Sequence, residues 1–412
     1  MIRLVIFIII FLFFDFYAFQ SFRSLTKNPI AIIIYSITTL IILGGIVYQS
    51  VNFDRSIGIS SGFYSAFALF VLFYIPKLIL VVFVFGEDIF RLFEGIYNYL
   101  ISNKINSNDS FFNGRRKFIS QIALGAASIP FLSILYGITK GKYNYKILKY
   151  TLFFEDLPIE FDGYKITQIS DIHSGSFDNN AKVEYGVKLI NDQKSDVIMF
   201  TGDLVNSKTS EINPWKSTFS KLKAKDGVFS VLGNHDYGDY VKWPTEEAKK
   251  DNFSEMLKSQ KEMGFQLLLN ESRYIEKKDS RLAIVGVENW GKGFNKKGNL
   301  KKAISNIKSN DFKILLSHDP SHWEYEVLKE KMHFQLTLSG HTHGMQFGIE
   351  IPGVIKWSPA KWRYKFWAGI YERTGQYLNV NRGFGYLAFP GRVGIWPEIS
   401  VITLKRGKSE SV

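Results

Sequence analysis

Histidine placement is the strongest constraint this chain puts on its own fold. Five of its seven histidines, His173, His235, His318, His341 and His343, stand just past short apolar runs. Random placement would scatter them. Residues i and i+2 of an extended segment point the same way, so His341 and His343 in Ser339-Gly340-His341-Thr342-His343-Gly344 can face one site together. Neutral imidazole is the commonest protein metal ligand, and the flanking glycines let the backbone turn sharply and keep bulk away.

From Lys142 onward, short β-rich runs alternate with helical periods, the pattern of an α/β domain. Tyr164 to Ser170 reads as a strand running into Asp171-Ile172-His173. Val197 to Thr201 runs into Gly202-Asp203, and Val228 to Leu232 into Gly233-Asn234-His235-Asp236. Phe312 to Leu316 precedes Ser317-His318-Asp319-Pro320, and Phe334 to Leu338 leads into the His341 stretch. Further strands are expected at Leu282 to Val287 and Ile399 to Leu404. Helices are expected around Val183, Val187 and Ile190. A second should run from Thr245 to Gly264, and a third should carry Leu300, Ile304 and Ile307 on one face. Open α/β sheets build their sites at the carboxyl ends of strands, where five of these strands deliver ligand-type residues.

The ligand inventory is Asp171, His173, Asp203, Asn234, His318, His341 and His343, with Cys absent. Seven hard-to-borderline ligands exceed one tetrahedral site and imply two adjacent divalent ions, with Mn, Zn, Fe and Co all compatible. Asp203 is the natural bridging carboxylate, having two oxygens to share. Two metals ~3.5–4 Å apart suit in-line displacement at phosphorus and acidify a bound water to a pKa near ~7. His235, beside Asn234, could protonate the leaving oxygen as general acid, or else brace the loop through Asp236.

Four apolar segments precede residue 140: Leu4 to Phe19, Ile30 to Tyr48, Phe63 to Phe85 and Phe118 to Ile138. A bilayer span needs ~20 residues. Asp15 interrupts the first, and Pro76-Lys77 in the third suggests a kink or a lysine facing the bundle interior. Arg23 and Lys27 lie between segments one and two, and Arg91, Lys104, Arg115, Arg116 and Lys117 between three and four. The loop between two and three has only Arg55, offset by Asp54. The positive-inside rule then places residues after 139 on the extracytoplasmic face of the cell membrane, although Lys140, Lys142, Lys146 and Lys149 run against that scheme. Arg115-Arg116-Lys117 also looks like an internal twin-arginine export signal. The net charge of +13 fits an anionic membrane surface, and no nucleic-acid motif is present.

The ordered set Asp-x-His, Gly-Asp, Gly-Asn-His-Asp, Ser-His-Asp-Pro and Gly-His-Thr-His resembles the calcineurin-like metallophosphoesterase family, in its bacterial membrane-linked or exported branch. Val380-Asn381-Arg382-Gly383-Phe384-Gly385 and Trp396-Pro397-Glu398-Ile399 are similar to that branch too. Gly344-Met345-Gln346 stands where it often has Gly-Gly-Gln. The resemblance implies a four-layer αββα sandwich, here preceded by a bundle of about four transmembrane helices, and a dinuclear centre. Carried over by position, Asp171, His173 and His343 would hold one metal and Asn234, His318 and His341 the other. Asp203 would be shared, and His235 would sit near the scissile phosphate. The expected organisation is a transmembrane region over 1–139, a linker with the first strand over 140–160, the metallophosphoesterase domain over 161–405 and a polar tail over 406–412.

Between Lys356 and Trp367 tryptophan and tyrosine interleave with lysine and arginine. Trp357, Trp362, Arg363 and Trp367 suit a bilayer interface, and would bring the site to a lipid-linked substrate. Arg382 and Arg392, in glycine-rich loops, are candidate phosphate contacts through a bidentate fork. The reading is a membrane-anchored phosphoesterase that cleaves a phosphodiester or pyrophosphate by metal-activated hydroxide. Its rivals are a non-catalytic sensor or scaffold of the same fold, which would be expected to lose ligands, and a transporter, poorly supported with only Asp15 and Lys77 charged within the spans.

Overall fold

The computed structural model describes residues 2–102, 110–351 and 353–408. Lys104, and the polar tail past residue 408, lie outside them. The chain divides into two compact units, Met1–Phe53 with Ile59–Ile138 and Asp54–Gly58 with Thr139–Val412.

The first unit is helical. Its elements are α1 (Ile2–Leu25), α2 (Pro29–Val51), α3 (Ser61–Tyr97) and α4 (Ser110–Thr139), each long and apolar enough to cross a membrane. Asn28 caps α2, accepting the Ile30 N–H at 2.9 Å, and Pro29 follows at the first helical position, where a missing N–H costs nothing. Both α1 and α2 pack on α3 around Ile42, Leu43, Ile46 and Tyr74. Pro76 lies inside α3, which continues through it. The two charges expected within the spans meet: Lys77 Nζ lies 2.7 Å from Asp15 Oδ1 and donates to Thr39 Oγ1 at 3.0 Å, while Tyr74 donates to Asp15 Oδ2 at 2.8 Å. A buried charge is stable only when it is paired and hydrogen-bonded.

The second unit is built on two mixed six-stranded sheets. In chain order its strands are β1 (Lys146–Phe154), β2 (Lys165–Ile169), β3 (Val197–Phe200), β4 (Val228–Ser230), β5 (Phe265–Leu267), β6 (Glu271–Lys277), β7 (Ser280–Gly286), β8 (Phe312–Leu316) and β9 (Leu336–Ser339). A hairpin of β10 (Ile349–Ile351) and β11 (Ile355–Trp357) follows. Then come β12 (Gly369–Arg373), β13 (Gln376–Val380) and β14 (Glu398–Arg406). The first sheet runs β1-β14-β2-β3-β4-β5 and the second β12-β13-β9-β8-β7-β6. Strands β2 to β5 are mutually parallel in one sheet, and β7, β8, β9 and β13 in the other.

Strand alternation builds the layers. Val197 and Met199 of β3 face inward to meet Ile284, Ile314 and Leu338 of the second sheet, while Ile198 and Phe200 face outward. The outward face is covered by α5 (Asn180–Asn191), through Val183, Val187 and Ile190, and by α6 (Glu246–Glu262), through Met256. Thr245 caps α6 by accepting the Ala248 N–H at 3.1 Å, Glu246 and Glu247 sit in its first turn, and Gly264 follows at φ 82°. On the far face, Val285 and Leu315 pack under Leu300, Ile307, Trp323 and Val327. The result is a four-layer sandwich, helices outside and two sheets within.

The helix expected through Leu300, Ile304 and Ile307 is shorter than its periodicity implied, ending at Ala303. Ser305 and Asn306 follow, whose side chains compete for backbone groups and favour turns. Ile307 still reaches the core.

Candidate metal centre

Each candidate ligand sits just beyond the carboxyl end of a central strand: Asp171 and His173 after β2, Asp203 after β3, Asn234 after β4, His318 after β8, and His341 and His343 after β9. Five of them, Asp171, His173, Asp203, His341 and His343, have φ between 47° and 71°. L-residues avoid this left-handed region, at roughly 1–2 kcal/mol each. Two close approaches make room for the turns. A Cβ at Gly340 would strike Ser170 and Asp171, and one at Gly233 would strike Asp203.

The seven side chains converge. Asp171, His173 and His343 form one group and Asp203, His318 and His341 a second, the ligand atoms within each lying within 4.8 Å of one another. Asn234 Oδ1 is 3.2 Å from His318 Nε2, beside the second group. Asp203 Oδ2 lies 3.1 Å from His318 Nε2 and 3.6 Å from His173 Nε2, so a single oxygen faces both groups.

The rings are held for ligation. His173 Nδ1 meets the Val205 carbonyl at 3.2 Å and His318 Nδ1 the Thr201 carbonyl at 2.8 Å, which fixes the tautomer and leaves each Nε2 lone pair toward the site. The Nε2 atoms of His173 and His343 are buried and make no hydrogen bond of good geometry, with only carboxylate oxygens near them, Asp203 Oδ2 at 3.6 Å and Asp171 Oδ1 at 3.3 Å. An orphaned buried nitrogen is costly, and a divalent cation would satisfy both, so the donor set fits the metals.

Charge supports the same reading. Burial works against ionisation of Asp171 and Asp203, yet His343 and His318 beside them hold both carboxyls below the usual range. Burial pushes His173 and His341 down. His318 resists burial, and the Asp203 carboxylate raises it to about 10. Cation binding displaces protons from such rings.

Several neighbours had no sequence signal. Tyr364 OH lies 2.8 Å from His341 Nε2, Asn234 donates to Tyr240 OH at 2.7 Å, and Tyr240 stacks on His235 with centroids 4.1 Å apart. Asp319 belonged to a recognised motif without a role; its Oδ2 is 3.5 Å from His341 Nε2. His235 itself is half-exposed. Its N–H donates to Asp203 Oδ1 at 2.8 Å and its Nδ1 to the Asn206 carbonyl at 2.6 Å. Asp236 braces the loops, accepting the N–H groups of Asp203 at 2.9 Å, Leu204 at 2.8 Å and Gly233 at 2.9 Å.

Residues 164–345 match the calcineurin-like phosphoesterase family, and residues 1–142 match a family described as a probable calcineurin-like phosphoesterase transmembrane domain. The chain is 30% identical over 254 residues to the uncharacterized metallophosphoesterase YkuE of Bacillus subtilis, covering 60% of this chain and 82% of that protein. It belongs to the calcineurin-like phosphoesterase family. It is also 28% identical over 287 residues to a transmembrane protein with metallophosphoesterase domain from Danio rerio, covering 66% of this chain and 60% of that one. An uncharacterized metallophosphoesterase of Aquifex aeolicus is 28% identical over 282 residues, covering 67% of this chain and 98% of the other. The chain is thus a membrane metallophosphoesterase by family, one of metal-dependent phosphoester hydrolases, and it carries four helices long and apolar enough to cross a membrane.

Of the remaining candidate residues, the two arginines are taken up by the protein itself. Arg392 is fully buried and donates to the carbonyls of Gly385 and Arg382, both at 2.8 Å, with Nη2 3.1 Å from His343 Nδ1. Arg382 pairs with Glu398 at 2.5 Å and Glu350 at 2.6 Å. Both guanidinium groups are therefore committed to the protein rather than offered to a phosphate. Trp362 and Arg363 are exposed and Trp357 half-exposed. Trp367 is buried against Ala360, Ala368 and Ile395, and so is withdrawn from the interface suggested for it.

Proposed function

We propose that this chain hydrolyses a phosphodiester or pyrophosphate bond of a lipid-linked substrate, with two divalent ions and on the extracytoplasmic face of the membrane. The observation that carries the two-ion reading is Asp203 Oδ2 standing within 3.6 Å of a histidine nitrogen from each ligand group. Asp171, His173 and His343 would hold one ion, and Asn234, His318 and His341 the other, with Asp203 between them. When bound, such a pair acidifies water and neutralises charge on the phosphorus centre.

The chain's own residues supply the rest. Asp203 Oδ1 accepts the His235 N–H and so ties the proton donor to the carboxylate shared by the two groups. Nδ1–H is donated to the Asn206 carbonyl, so His235 Nε2 is left toward the site, and the ring serves as proton donor in its imidazolium form, giving up the Nε2 proton to the leaving oxygen. Tyr240 stacks on that ring and keeps its plane. Tyr364, bonded to His341, forms part of a cleft of about 630 Å³ with Lys292, Arg363 and Lys365, cations suited to an anionic substrate.

The test is hydrolysis of bis-p-nitrophenyl phosphate by the full chain in detergent, with added Mn, Zn or Mg. Activity abolished by a chelator and by both Asp203→Asn and His341→Ala is expected. Activity indifferent to all three would end the reading.

A further inference from the structure

The hairpin that follows His343 is inside out. Its register pairs Ile349 with Trp357, Glu350 with Lys356 and Ile351 with Ile355, so one face is apolar and the other charged. The charged face is the one turned to the protein: Glu350 pairs with Arg382 at 2.6 Å, and Lys356 donates to the Ala368 carbonyl at 2.6 Å. The apolar face is turned to solvent, with Ile349 51%, Ile351 52% and Ile355 43% exposed, and Val354 at the tip 78% exposed. Among the described residues past 139, nine large apolar or aromatic side chains are exposed, and six of them lie between Met345 and Trp362. A water-soluble surface does not gather its apolar exposure in this way without an apolar partner.

We propose that this hairpin, with Trp362 beside it, enters the headgroup and upper acyl region of the bilayer that the chain's own helices span. Three observations favour lipid over a protein partner. The chain carries four helices of membrane-spanning length, so a bilayer is present at high effective concentration. Lys361 is exposed next to Trp362, where it meets lipid phosphates. Trp362, 75% exposed and edge-on to Trp357 at 5.8 Å, is the residue type that settles at headgroup depth. The hairpin is also tied to the metal centre: Ser358 donates to the Gly344 carbonyl at 2.5 Å and Thr342 to that of Trp367 at 2.6 Å. A membrane-seated hairpin therefore sets the height of the centre above the lipid. This deepens the lipid-linked reading of the site, and its decisive measurement does not depend on hydrolysis.

The chain has no cysteine, so Val354→Cys gives a single labelling site in the full chain. An environment-sensitive fluorophore there, with the protein reconstituted in phosphatidylcholine–phosphatidylglycerol vesicles, should emit to the blue. It should also be quenched by lipids carrying a nitroxide high on the acyl chain. The same label at Ile159→Cys, a residue 60% exposed elsewhere on this unit, should respond only to aqueous iodide. A Val354 label that behaves like the Ile159 label overturns the proposal. So does one shielded from iodide but untouched by the lipid nitroxide, which would assign the face to a second copy or another protein. In a second arm, Ile351→Asp should lower turnover of a diacylglycerol p-nitrophenyl phosphodiester held in the vesicles about tenfold, leaving bis-p-nitrophenyl phosphate unaffected. Loss of both ester activities in the parent chain would sink the hydrolase reading while the quenching result stands.

Discussion

The backbone N–H of His235 donates to Asp203 Oδ1 at 2.8 Å, while Oδ2 of the same carboxylate faces His318 and His173. One side chain thus couples the candidate proton donor to both ligand groups, and the two functions can be separated by substitution.

His235→Gln should lower kcat about 10²–10⁴-fold, the usual worth of a positioned general acid, and leave metal content unchanged. The loss should shrink on esters with a p-nitrophenyl leaving group, which needs no proton. Paired measurements of kcat and bound metal check this. An equal loss on alkyl and nitrophenyl esters would reassign the ring.

Asp236→Ala removes the acceptor for four backbone N–H groups in two loops, those of Asp203, Leu204, Gly233 and, more weakly at 3.4 Å, Val205. Each buried donor left without a partner costs about 1–3 kcal/mol, so unfolding in denaturant should shift by at least about 3 kcal/mol. Asp236→Asn, which keeps one acceptor oxygen, should lose less.

Acid should weaken the second unit through His322, a residue outside the ligand set. The ring is buried, packs 5.1 Å from Trp290 and shares a 2.8 Å hydrogen bond with Ser317. Burial pushes it down to about 4, with Asp319 opposing. Between pH 6.5 and 4 the unfolded chain binds a proton that the folded chain refuses. Stability is therefore complete above the unfolded value and falls as pH drops through that window, by up to about 3 kcal/mol. Thermal unfolding across this range should show the slope, and His322→Gln should flatten it.

In the membrane unit, Lys77→Met should destabilise by about 3–5 kcal/mol, because Asp15 is left as an unpaired buried charge. The double variant Asp15→Leu with Lys77→Met should recover most of that loss in detergent unfolding. Equal destabilisation by single and double variants would mean that the pair acts through packing alone.

The sequence made the site legible because its chemistry lies at the ends of apolar runs. Val197 to Phe200 reads as a buried strand on composition alone, and Asp203 follows it. Less could be read where structure breaks the usual pattern. Strand β5 has three residues, too few to show a period, and β6 is an edge strand rich in charge. Hairpin β10–β11 faces its apolar side outward, against the expected sense of alternation. Tyr240 and Tyr364 reach the ligands from loops with no fixed spacing to them. Arg392 in its glycine-rich loop reads as a candidate phosphate contact, yet the carbonyls of Gly385 and Arg382 are what its guanidinium binds. Asp15 and Lys77 were visible as charges, but their pairing across 62 positions was not.

The left-handed backbone at Asp171, His173, Asp203, His341 and His343 sets durability against chemistry. Glycine at any of these positions would relax the main chain and remove the donor that justifies the contortion. Selection for heat resistance alone should therefore drift toward glycine there, yielding sturdier and inert descendants. A chain with a ligand rather than glycine at all five positions carries that main-chain cost in its folded state.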